Sequence, residues 1–165
     1  MESEPGKGSL FRIFLPAYCD SIANTRTIHS VEASVGGNQT ILLVEDEPTI
    51  LRAGKQSLES LGYSVLTAAT PGLAIQIAEQ YSSPIDLLIT DVVMPEMNGR
   101  ELASRLVQLY PQMKQLFMSG YTADVIGDQG VLEEGIDFIQ KPFSLTALAQ
   151  KVQTTLNKAI IKSND

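Results

Sequence analysis

Four residue types recur at matching places in this chain. Each stands where an aliphatic run gives way to polar residues. ILLVE (41–45) runs into Glu45, Asp46 and Glu47, and PIDLLIT (84–90) runs into Asp91. KQLFMS (114–119) ends on Ser119, and IDFIQ (136–140) is followed by Lys141. Of these acids Glu45, Asp46 and Asp91 would place three carboxylates within several ångströms, where they repel one another. At 4 Å a like-charged pair costs about 4 kcal/mol at an effective dielectric near 20. A hard divalent cation relieves that repulsion, and Mg²⁺ prefers few protein oxygens, keeps waters and accepts phosphate oxygens. A carboxylate so placed can act as a nucleophile toward phosphorus. The transfer then depends on positioning and charge neutralisation, for which a lysine and a hydroxyl suffice.

The elements that must position these groups alternate along the chain. Strands are expected at 41–45, 63–68, 84–90, 114–119 and 136–140. Helices are expected at 48–61, 71–81, 99–110, 122–134 and 144–158. Gly62 reads as the stop of the first helix, Pro71 as a first-turn proline of the second, and Ser144 as the N-cap of the last. Leu102, Leu106 and Leu109 should face inward from the helix at 99–110. Helix 122–134 carries internal glycines. Alternating β and α units imply a doubly wound α/β fold, a parallel sheet with helices on both faces. Ligands of such sheets bind outside the carboxyl ends of the strands, which is where Asp91 falls.

Composition narrows the function classes. The 165 residues hold one ordinary domain and an appendage; 44% are hydrophobic and 19% charged, with a formal charge of −7. An acidic chain is a poor direct partner for nucleic acid. There is no apolar run near the roughly 20 residues that cross a bilayer, and MESEPGKG does not resemble a signal peptide, so a cytoplasmic location without membrane insertion is expected. Cys19, the single cysteine, excludes an internal disulfide. His29, the single histidine, reads as an exposed linker residue, and Glu133-Glu134 as a solvated pair. SVGGNQT (34–40) reads as a linker.

VEDE (44–47), DVVMPEMNG (91–99), FMSGY (117–121) and QKPF (140–143) resemble, in order and spacing, the four signature blocks of response-regulator receiver domains. The resemblance spans residues 39–158, with 159–165 as a tail. It implies a flavodoxin-like (βα)5 fold of strand order 2-1-3-4-5. It also implies roles. Asp91 is the phosphoacceptor. Mg²⁺ is the cofactor, held by Glu45, Asp46, Asp91 and the backbone carbonyl of Val93. Lys141 and Ser119 bind the phosphoryl group, and Ser119 with Phe138 forms the switch. A cis Lys141–Pro142 bond is implied as well. Val93 and Tyr121 occupy the variable places beside the phosphoryl group and offer nothing to orient water, so slow self-dephosphorylation is expected. The implied partners are a histidine kinase or a histidine phosphotransfer protein as donor, and a downstream protein at the face formed by 122–134, 136–140 and 144–158. Only Ser163-Asn164-Asp165 follow the last helix region, so output is expected to run through protein contacts.

GKGSLFRIFLPA (6–17) resembles the last strand of a histidine-kinase ATP-binding domain, with Phe11, Ile13 and Leu15 alternating. Residues 1–37 would then be a kinase remnant plus linker, with little fixed order, and the chain a C-terminal piece of a hybrid histidine kinase. Gly6 and Gly8 do not continue into a phosphate-loop pattern. The kinase's histidine and ATP motifs are missing, so a separate enzyme is not expected. Two other readings remain open. One is an aspartyl-phosphate phosphatase or mutase, which would need an acid at the place of Val93. The other is a binding module that takes no phosphate.

Overall fold

The computed structural model describes residues 2–4, 6, 8–10, 12, 14, 38–120 and 136–158. The chain divides into two units, Met1–Glu32 and Ala33–Asp165. In the first unit β1 (Glu2–Glu4) pairs antiparallel with β2 (Gly8–Leu10). Gly8–Leu10 thus finds a partner in residues 2–4, a pairing that the sequence pattern did not suggest. Phe11, Ile13, Leu15, Cys19 and His29 lie outside the described residues.

The second unit is built on a five-stranded sheet. Its strands are β3 (Thr40–Val44), β4 (Ser64–Ala68), β5 (Leu87–Asp91), β6 (Lys114–Ser119) and β7 (Asp137–Gln140). Every neighbouring pair is parallel, and the order is β4-β3-β5-β6-β7. Numbered within this unit, that is 2-1-3-4-5, as expected. The helices are α1 (Pro48–Ser60), α2 (Pro71–Gln80), α3 (Gly99–Leu109) and α4 (Leu145–Asn157). The helix expected at 122–134, with Tyr121 and Glu133-Glu134, lies outside the described residues.

Alternation along the strands sorts the core into two layers. Leu42, Val44, Leu88 and Phe117 point to the side covered by Ala74 and Ala78 of α2 and by Leu102, Ala103 and Leu106 of α3. Ile41, Leu43, Ile89, Leu116 and Met118 point to the other side, against Leu58 of α1 and Leu148 and Val152 of α4. Strands apolar on both faces are what a parallel sheet under two helical layers requires.

The helix ends carry the chemistry expected of them. Thr70 Oγ1 accepts from Leu73 N at 3.2 Å ahead of Pro71, and Ser144 Oγ accepts from Ala147 N at 3.1 Å. Gly62 takes φ +89° beyond α1, a conformation that a side chain would strain, and its N–H bonds Glu59 O at 2.9 Å.

Three expectations need correction. Thr40 belongs to β3 rather than to the linker, and its N–H donates to Asp86 Oδ2 at 2.7 Å. The third strand begins at Leu87, not at Pro84, which lacks a donor for the ladder; Asp91 becomes the strand's last residue. Leu109 is 49% exposed. The inward stripe of α3 runs 102, 106 and then Tyr110, in steps of four, so Tyr110 takes the core position. Its hydroxyl reaches Ala78 O and Tyr81 O, each at 2.8 Å, and ties the end of α2 to the end of α3.

Candidate phosphoacceptor site

The site forms at the carboxyl edge of four adjacent strands, β3, β5, β6 and β7. Val44, at the end of β3, is followed by Glu45, whose N–H still bonds Ala68 O at 3.2 Å and whose side chain is 1% exposed. Asp46 is exposed beside it. Glu47 does not join the cluster of acids. It caps α1, its carboxylate accepting from Thr49 N at 3.4 Å.

Asp91 closes β5, where it is paired with Met118 of β6. The chain beyond it is pinned at once: Val92 N bonds Met118 O at 2.9 Å, and Val92 is buried. The loop turns through Glu96, at φ 70°, and returns so that Gly99 N bonds Val92 O at 3.0 Å. Asn98 Oδ1 then caps α3 by accepting from Glu101 N at 2.9 Å. Gly99 lies directly under Asp91. A Cβ there would sit 2.2 Å from the carbonyl oxygen of Asp91, so a larger residue must displace the acid's own backbone. In the sequence Gly99 stands only as the end of the DVVMPEMNG block and the start of the helix expected at 99–110; a glycine immediately after a capping asparagine was the available signal for this role.

Ser119 closes β6 and is buried. Its carbonyl accepts from Lys141 N at 2.7 Å, which fixes the backbone from which the lysine side chain starts. The Lys141–Pro142 bond is cis. Lys141 Nζ donates to Asp91 Oδ2 at 2.8 Å and also to Glu45 Oε2. The structure therefore joins groups 50 and 96 residues apart in sequence through one ammonium. The contact with Glu45 was not anticipated; the sequence assigned that acid to metal binding alone.

These contacts set the charges. Burial pulls the Lys141 ammonium toward a lower pKa, but the hydrogen bonds it donates to Asp91 and Glu45 overcome this and hold it above its ordinary value. It stays protonated across the neutral range. Burial raises the Glu45 carboxyl above its ordinary value, against the pull of Lys141, and the nearby charge of Asp91 adds to the rise.

Glu45, Asp46 and Asp91 each offer a carboxylate oxygen, and these oxygens lie within 4.8 Å of one another. Hard oxygen donors, one of them exposed and open to water, suit Mg²⁺. Val93 stands two residues past Asp91 with its side chain 63% exposed. Phe138 pairs in register with Phe117 and packs, half-buried, against the core layer under α2 and α3.

Comparison with known proteins agrees with this geometry. Residues 41–153 match the model of the response regulator receiver domain. The sensor kinase CckA of Brucella abortus (strain 2308) is 37% identical over 164 residues, 95% of this chain but 17% of that protein. The response regulator receiver protein CpdR of the same organism is 33% identical over 116 residues, 70% of this chain and 95% of that protein. Among solved structures, the receiver domain from hybrid histidine kinase CckA superposes with a TM-score of 0.60 and 35% identity, covering 71% of this chain and 98% of that one. Sequence pattern, sheet order and these matches converge: the chain belongs to the response regulator receiver domain family, a module of two-component phosphorelay signalling.

Proposed function

We propose that Asp91 is the residue that takes the phosphoryl group, from a phosphohistidine on a histidine kinase or a histidine phosphotransfer protein. The observation that carries this reading is the bridge from Lys141 Nζ to Asp91 Oδ2 at 2.8 Å, beside the carboxylates of Glu45 and Asp46. In the transfer, an Asp91 carboxylate oxygen bonds to phosphorus as the phosphorus–nitrogen bond to the donor imidazole breaks. The imidazole leaves with the bonding pair and takes up a proton. Glu45, Asp46, Asp91 and the carbonyl of Val93 are the groups that would hold Mg²⁺, which when bound offsets the charge of carboxylates and phosphoryl oxygens. Lys141 supplies a fixed positive charge to the same oxygens, and Ser119 a hydroxyl.

The added phosphoryl group brings about −1.5 to −2 charge. That charge competes with Asp91 and Glu45 for Lys141 and draws on Ser119, biasing a two-state shift that Phe138 transmits toward β7 and α4. The module then works by contact with a downstream protein, in the cytoplasm, without turnover of its own. Val93 places an exposed apolar group where a phosphatase or mutase needs an acid. Among the described residues no helix is long and apolar enough to cross a membrane. The match to the CckA sensor kinase covers 95% of this chain, more than the receiver alone, which supports reading GKGSLFRIFLPA (6–17) as the end of a kinase ATP-binding domain.

Incubation with acetyl phosphate and Mg²⁺, followed by intact mass spectrometry, tests the central claim. One added phosphoryl group is expected, lost in Asp91→Asn and lost on chelation. Wild-type protein that gains nothing, or an Asp91→Asn variant that still gains it, overturns the assignment.

A further inference from the structure

Past the ends of α2 and α3, at the amino edge of the sheet, lies a hollow of about 480 Å³. Its lining includes the buried Ala78, Ile85 and Met113, with Tyr81, Leu109 and Tyr110 beside them. Small-molecule sites span about 300–1,000 Å³ and are mostly apolar with a few convergent polar groups. This hollow has that size and that mixture. It is remote from the phosphoacceptor site. Asp86, which lines it, stands just before β5, and Asp91 ends that strand. At about 3.3 Å per residue the two acids are roughly 16 Å apart.

The way the two helices end selects the class of ligand. α2 stops at Gln80 and α3 at Leu109, and their caps, Tyr81 and Tyr110, both line the hollow. The last carbonyls of a helix lack intrahelical donors. Prolines deepen the shortage here: Pro84 and Pro111 stand where the carbonyls of Gln80 and Val107 would look for an N–H. Among the described residues no backbone N–H bonds the carbonyls of Glu79, Gln80, Gln108 or Leu109. Neither last turn carries a basic residue to answer the helix dipole. Glu79 and Asp86 add carboxylates, and among the described residues no Lys, Arg or His lines the hollow. Asp86 Oδ2 accepts from Thr40 N at 2.7 Å, while Oδ1 has no partner among the described residues. An anion would meet only acceptors. A cation with several donors meets acceptors that lack them. A guanidinium carries five N–H groups in a plane, sheds water more readily than an ammonium, and stacks on aromatic rings such as Tyr81 and Tyr110.

We propose that this hollow binds a small guanidinium compound, its planar cation on Asp86 and the carboxyl ends of α2 and α3, its apolar stem on Ile85, Leu109 and Met113. The binding uses no residue of the Asp91 cluster and does not depend on phosphoryl acceptance.

The 165-residue chain is titrated with butylguanidinium, butylammonium, butan-1-ol and pentanoate and followed by amide NMR. Butylguanidinium is expected to shift amides within residues 78–86 and 109–114. It should bind more tightly than butylammonium and about tenfold more tightly than butan-1-ol. Pentanoate is expected to bind most weakly. Asp86→Asn keeps an oxygen for Thr40 N and removes the charge, so it should weaken butylguanidinium about tenfold. Leu109 is half-exposed, and Leu109→Lys sets a cation in the last turn of α3, where the helix dipole favours it. That variant should keep its thermal stability and also weaken butylguanidinium about tenfold. Pentanoate or butylammonium binding as tightly as butylguanidinium overturns the proposal. So do shifts scattered over the whole surface, indifference to either variant, or no butylguanidinium binding at all. None of these results bears on mass-spectrometric phosphorylation of Asp91, so the two readings fail separately.

Discussion

On one face of the sheet α2 and α3 pack against each other, and Tyr110 ties their ends together through Ala78 O and Tyr81 O. On the other face α1 and α4 leave a cavity of about 530 Å³ between them. The site residues divide along the same line. Asp91 leads, through Val92 and Gly99, into α3 on the closed side. Glu45 leads into α1, and Lys141 leads into α4, the two helices that flank the cavity. Asp91 is therefore built on the tightly packed half, and the groups that answer its charge are built on the half with room to adjust. A packed interior passes strain rather than absorbing it, so adjustment belongs where packing is incomplete.

The largest expected effect tests that contrast directly. Leu106, fully buried in the α2–α3 layer, should cost about 3–5 kcal/mol when replaced by alanine. Leu148 is also buried but lines the existing cavity, so it has fewer atoms to lose contact with. Leu148→Ala should cost about 2–3 kcal/mol. Urea midpoints at unchanged slope measure both. Equal losses, or a larger loss at Leu148, would mean that the two faces are packed alike. Tyr110→Phe keeps the ring and removes the hydroxyl that ties α2 to α3, whose single proton the two carbonyls share. A loss of about 1–2 kcal/mol is expected. A change within about 0.3 kcal/mol would show that the tie contributes nothing to the closed face.

Much of this was legible in the chain itself, for a physical reason. Strands buried on both faces must be continuously apolar, so the first polar residue after each run marks the sheet edge. Glu45, Asp91, Ser119 and Lys141 were found that way, and the strand order came with the resemblance. What escaped depends on rotation and spacing rather than on pattern. Whether Leu109 or Tyr110 faces inward turns on less than one residue of helix phase. The capping role of Glu47 was not visible, because a capping carboxylate and a ligand carboxylate are the same group in a sequence. The Glu45–Lys141 contact and the gap between α1 and α4 are set by side chains up to about a hundred residues apart, and local periodicity carries no record of either.

The smallest effect separates the two faces by pH. Where Tyr110 holds the end of α3 with neutral bonds, the end of α4 is held by charge. Asp137 opens β7 almost fully buried, and its Oδ1 accepts from Lys151 Nζ at 2.9 Å and Lys158 Nζ at 2.8 Å. Lys114 Nζ, on the neighbouring strand, donates to the carbonyl of Lys158. Burial pushes the Asp137 carboxyl up, but the bonds from Lys158 and Lys151 more than reverse this and leave it below its ordinary value. A carboxyl depressed in the folded state binds fewer protons there than in the unfolded chain. Its contribution is fully present above the unfolded value of about 3.9 and is lost as pH falls through the lower folded value. Amide exchange in the last turn of α4 should therefore speed up over that acid window relative to the last turn of α3. Asp137→Asn removes the buried charge and leaves two half-exposed lysines that water can solvate, so its cost at neutral pH should be on the order of 1 kcal/mol. The variant should abolish the acid dependence of α4 while leaving α3 unchanged. If wild-type α3 and α4 loosen together as pH falls, the ion pairs at Asp137 do not distinguish the open face from the closed one.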